Sequence, residues 1–155
     1  MKKLLSRPLV NAICLSLFTA FYGLIFMLSS GHKEFENLLY YNRIDNNTPS
    51  FWKDFSRFLA SGYEAYIAYT LIAVTVLVVI LLLLRRHPYD EYHTSLLFGC
   101  LSVAAVLTLF AIAVFYLMIL SDPNGIVEKF TLFISIHWTV VVLSDLCFVL
   151  LCRWR

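Results

Sequence analysis

Charge is what this chain lacks most. Asp, Glu, Lys and Arg make up 14% of its residues, against roughly 25% in a soluble domain. The mean hydropathy is +0.79. A chain of 155 residues could not hide so much apolar surface from water, so the bilayer is the expected solvent, and the length suits one compact domain. The formal net charge is only +2, with no basic arm, no zinc-finger spacing and no Gly-rich phosphate loop. Nucleic acid is therefore not an expected partner. The cysteines number four. Cys14, Cys100, Cys147 and Cys152 all fall in or beside apolar runs and none in a loop, which argues against an extracytoplasmic disulfide framework and against a quinone-linked thiol oxidase. They read as small apolar core residues.

What the chain has instead is four apolar runs, each near the roughly 20 residues a helix needs to cross hydrocarbon. They cover about 8–28, 65–84, 94–120 and 130–152. In lipid each backbone N–H and C=O must find a partner within its own segment, so each run is expected to be a helix. The expected fold is an all-α, polytopic four-helix bundle forming a single membrane domain. Pro8 can open the first helix. Arg85 and Arg86 close the second and Asp90 and Glu91 open the third, each charge suiting the helix dipole. Asp122-Pro123-Asn124-Gly125 is a tight turn within the 121–129 connection. No inverted repeat and no Gly/Pro-broken helix pair is found, which lowers the case for a repeat-type transporter.

Direction follows from Lys and Arg. Lys2, Lys3, Arg7, Arg85, Arg86, Arg153 and Arg155 lie in short flanks; Lys33, Arg43, Lys53, Arg57 and Lys129 lie on the other side, mostly in a longer, acid-diluted loop. The positive-inside rule then puts both termini and the 85–93 loop in the cytoplasm of a bacterial inner membrane. A cleaved signal peptide is the other reading of the first run, and its apolar length argues against it.

The first external loop, 29–64, is the only sizeable polar region. Phe51, Trp52, Phe55, Phe58 and Leu59 share one helical face opposite Lys53, Asp54 and Arg57, with Thr48 and Pro49 as cap and first residue. A short amphipathic helix over about 50–61 is expected in the outer interface, as an anchor or as a docking face made of Phe51, Trp52, Phe55 and Phe58. Asn46-Asn47-Thr48 has the form of a glycosylation acceptor, but the following Pro49 makes its use unexpected.

Polar groups inside the spans each need a reason. Asp145, in the fourth run, is the strongest case. His137 stands eight residues earlier, about 12 Å along the axis, and Ser144 lies almost beneath it. With Val141 they form one inward stripe. Asp145 and His137 read as hydrogen-bonded glue between helices, as a proton-coupling carboxylate site, or as a contact with a partner subunit; Arg153 could reach back to Asp145. Small residues recur along the first helix (Ala12, Ser16, Thr19, Ala20, Gly23) and the third (Gly99, Ser102, Ala104, Ala105, Thr108, Ala111), as helix packing requires. The second helix, aliphatic from Leu71 to Leu84, is expected to face lipid most. Glu64, among Tyr63, Tyr66 and Tyr69 of an interfacial belt, is expected to snorkel to water. The His87–His93 loop matches no trusted metal spacing, and no cofactor is expected.

Four helices, cytoplasmic ends and a long first external loop together resemble, in architecture, the immunity proteins that protect against pore-forming colicins. That likeness implies a non-enzymatic inhibitor or accessory protein in the inner membrane, binding another membrane protein or a second copy of itself. The alternatives are a small proton-coupled transporter using Asp145, and a lipid-directed enzyme using His87, Asp90, Glu91 and His93 at the cytoplasmic face.

Overall fold

The computed structural model describes residues 7–29, 50–84, 89–122 and 125–153. Among these residues the fold is all-helical, with five helices and no strand: α1 Pro8–Ser29, α2 Ser50–Ala60, α3 Glu64–Leu83, α4 Glu91–Ser121 and α5 Ile126–Arg153. All but α2 are long and apolar enough to cross a membrane. Arg85, Arg86, His87 and the Asn46-Asn47-Thr48 segment lie outside the described residues.

Local chemistry sets where the helices begin. α4 starts at Glu91, three residues before the apolar run, because Asp90 caps it: its carboxylate accepts the His93 backbone N–H at 2.8 Å. α5 starts at Ile126, four residues before the run expected from 130. Gly125 takes the left-handed φ of 64° that ends the turn, so the connection expected over 121–129 is much shorter. Gly62, at φ 70°, makes the corresponding reversal between α2 and α3.

Three helices form the centre. α1 packs on α3, α3 on α5, and α5 on α1, while α4 leans on α5 and α2 lies across one end of α5. The core contains Leu15 and Phe26 of α1, Leu71, Val78 and Leu82 of α3, and Trp138, Val142 and Phe148 of α5. Trp138 is fully buried. Gly23 allows the close approach of α1 to α3: a Cβ there would meet Ile72 Cδ1 at 3.3 Å.

Several expectations are corrected by this packing. The helix most exposed on its sides is α4, not the aliphatic α3. Only 6% of the most apolar stretch of α4 is buried, against 28% in α3, because α3 sits between α1 and α5 whereas α4 has one main neighbour. The small-residue face of α4 is not a packing seam: only Ala104 is buried, and open space surrounds the Cβ position of Gly99. On α1, Ala12 and Thr19 turn inward but Ser16 and Ala20 are exposed. Of the four cysteines only Cys152 is buried; Cys14 and Cys147 are exposed on the flanks of their helices.

Candidate functional site

Side-chain hydrogen bonds join α1 to α3 and α5 in three places. Near the start of α1, Asn11 Nδ2 donates to Asp145 Oδ1 at 3.1 Å, and both residues are buried. In the middle, the hydroxyls of Thr19 and Thr75 lie 3.0 Å apart, and Trp138 Nε1 donates to Thr19 Oγ1 at 3.4 Å. This rung ties α1, α3 and α5 together. One turn further along α1, Tyr22 Oη lies 2.7 Å from His137 Nδ1. In a low-dielectric interior each such bond is strong and each broken one is costly.

Antiparallel packing of α1 and α5 explains the arrangement. Going up α1 from Asn11 through Thr19 to Tyr22 matches going back along α5 from Asp145 through Trp138 to His137. Asp145 and His137 thus both face α1, each with its own partner. Ser144 is half-buried beside Asp145 and makes no side-chain hydrogen bond among the described residues. The Arg153 side chain lies outside them. Aromatic rings pack round His137: Phe18 and Tyr22 each at 5.5 Å edge-on and Phe133 stacked at 6.0 Å.

At the α2 end, charged groups are folded inward. Glu64 is 1% exposed, Glu128 fully buried and Lys129 4% exposed. The expectation that Glu64 snorkels to water is therefore wrong. Glu64 is the first residue of α3, just past the Gly62 reversal. Lys129 Nζ donates to the backbone carbonyl of Asp122 and to its carboxylate at 3.2 Å, and stands 5.8 Å over the Trp52 ring.

That contact divides the docking face read from the sequence. Trp52, Ser56 and Leu59 recur one turn apart; Ser56 and Leu59 are buried, and Trp52 covers Lys129. Phe51, Phe55 and Phe58 form a ladder beside it, with rings stacked at 6.1 and 6.2 Å, which continues through Tyr63 to Tyr66; Trp52 joins the two, edge-on to Phe51 at 5.1 Å and to Phe55 at 6.3 Å. The single apolar stripe splits because α5 takes one edge of it and leaves the other half-exposed.

At the opposite end, Asp90 and His93 belong to the α4 cap, joined by both a backbone and a ring hydrogen bond. Among the described residues no three His, Cys, Asp or Glu side chains group as metal ligands. Tyr22, Thr75 and Trp138 were not singled out in the sequence. Thr75 had a signal, being the only polar residue between Leu71 and Leu84. Tyr22 and Trp138 had none, since aromatic residues are common in such runs.

No family model matches the chain, and neither a curated protein nor a solved structure matches it at a significant level.

Proposed function

We propose that this chain is a multi-pass protein of the bacterial inner membrane with both termini cytoplasmic. It acts without catalysis, by binding another membrane protein as an accessory subunit or inhibitor. The observation that carries this reading is the contrast in how the long helices are used. Asn11, Thr19 and Tyr22 of α1, Thr75 of α3, and His137, Trp138 and Asp145 of α5 are engaged with one another, while α4 presents Val106, Leu109, Phe110, Tyr116, Leu117 and Leu120, each at least 61% exposed. Lipid can cover such a helix, but so can a partner helix, and among the described residues α5 is its one main neighbour.

Photo-crosslinking in native membranes tests it. A benzophenone side chain at Phe110 or Leu117 should give one discrete heterologous product, competed away by excess unlabelled protein. The same group at Leu17 of α1, which is 67% exposed, should give only lipid adducts. Lipid adducts alone from every position would overturn the reading. Retention in the membrane pellet after alkaline carbonate extraction, and a cytoplasm-active reporter fused after Arg155, test the location and orientation separately.

One observation favours a second reading. Asp145 is 4% exposed within an apolar core, and carboxylates so placed in membrane proteins serve proton relays. On that reading Asp145→Asn abolishes proton flux into vesicles while the protein still inserts and folds.

A further inference from the structure

The Tyr22–His137 pair has a chemical asymmetry that the other two polar contacts lack. The imidazole Nδ1 faces the Tyr22 hydroxyl. Among the described residues, Nε2 has no hydrogen-bond partner, and it is not sealed from the surface, since the ring is only half-buried. The tautomer follows from matching donor to acceptor. Either arrangement makes one bond at 2.7 Å and leaves one donor and one acceptor over. A phenol O–H is a stronger donor than an imidazole N–H, and an imidazole nitrogen is a stronger acceptor than a phenol oxygen. Tyr22 therefore donates to Nδ1 and Nε2 carries the proton. His137 therefore presents a fixed hydrogen-bond donor on an apolar surface.

The surroundings narrow what could accept that bond. Phe18 and Tyr22 of α1 flank the ring on one side. On the other, Phe133 stacks on it and meets Phe115 of α4 at 5.1 Å. One aromatic strip thus runs from α1 over α5 to α4 with a single donor inside it. His137 is eleven residues from the start of α5, roughly 16 Å along the axis. That is near the middle of a hydrocarbon core about 30 Å thick, well below the ester carbonyls of phospholipids. A carbonyl that travels within the bilayer, on a molecule flat enough to lie on aromatic rings, suits both the donor and the rings around it.

We propose that His137 Nε2–H, oriented by Tyr22, is the recognition point of a binding site for a lipid-soluble quinone. The quinone ring lies along the strip of Phe18, Tyr22, Phe133 and Phe115, with its apolar tail in the bilayer. The proposal concerns binding only and rests on the membrane location argued above.

The test uses the full chain in lipid nanodiscs with a decyl-tailed benzoquinone as probe. Saturable binding is expected, with the carbonyl stretch of the bound quinone moved to lower wavenumber, and decylbenzene should not compete. His137→Phe keeps a flat ring but removes the donor. It should weaken binding roughly fivefold to tenfold and abolish the infrared shift. Tyr22→Phe leaves the tautomer unset and should weaken binding roughly twofold to fivefold. Circular dichroism of each variant establishes that it has folded. Non-saturable partitioning, or an unchanged shift in folded His137→Phe, overturns the proposal. So does a change in oligomeric mass on His137→Phe with quinone binding intact, which would assign the donor to a helix contact with a second copy. If carbonate extracts the chain, the location fails instead, and the two failures are distinguished.

Discussion

α4 and α5 are both long apolar helices, yet they are used very differently. α4 has the more apolar central stretch, but 6% of that stretch is buried against 33% in α5. The difference lies in what each carries. α5 brings His137, Trp138 and Asp145 to partners on α1, and through Thr19 reaches Thr75 of α3. Within Glu91–Ser121, α4 makes no side-chain hydrogen bond to another long helix among the described residues; only its C-cap, Asp122, just past the end, accepts one from Lys129 of α5. Where every face is apolar and the surroundings are too, hydrophobicity cannot choose a neighbour, and close packing with a few hydrogen bonds must do so.

The largest effect should come from emptying the centre. Trp138 is fully buried, and Trp138→Ala removes both its volume and its bond to Thr19. A loss of about 3 kcal/mol is expected. Phe110→Ala on α4, where the ring is 68% exposed, should stay within about 0.5 kcal/mol. Reversible unfolding in mixed micelles measures both, and comparable losses would remove the distinction between the two helices.

Next comes the Asn11–Asp145 contact, where the order of effects matters more than the size. Asn11→Leu leaves a buried carboxyl without its donor and should cost about 2 kcal/mol. Replacing both residues by Leu should recover most of that loss, because no polar group is then stranded. Asp145→Asn keeps a side-chain acceptor for Asn11 and should cost less than Asn11→Leu. A double variant no more stable than Asn11→Leu would show that the carboxyl has a role beyond this contact.

The same contrast explains how much could be read beforehand. Apolar length located the four long helices, and Asp90, Gly62 and Gly125 mark ends or reversals that residue chemistry foretells. Asp145 and His137 stood out because ionisable groups in apolar runs are rare. Which helix each would meet did not, because Tyr22 and Trp138 look like any other aromatic residue until α1 and α5 are set side by side. The pattern failed most where it was most uniform. Nothing in the apolar sequences of α3 and α4 says that one is enclosed and the other left at the side. The amphipathic face of α2 was visible as one stripe, and only the position of Lys129 divides it.

The smallest expected effect tests whether hydrogen bonds choose neighbours here or merely decorate a steric fit. Thr19 and Thr75 share one hydroxyl contact, and Trp138 donates to the Thr19 end of it. Valine keeps the shape of threonine and removes the hydroxyl, so Thr75→Val should cost about 0.6 kcal/mol, the average for such bonds between membrane helices. Thr19→Val also strands the Trp138 N–H, which is fully buried, and should cost more, up to about 1.7 kcal/mol. The double variant should resemble Thr19→Val alone, since the shared bond can be lost only once. Should the two losses simply add, the hydroxyls act independently, and the meeting of α1, α3 and α5 is governed by the fit around Gly23 and Trp138 rather than by the rung between them.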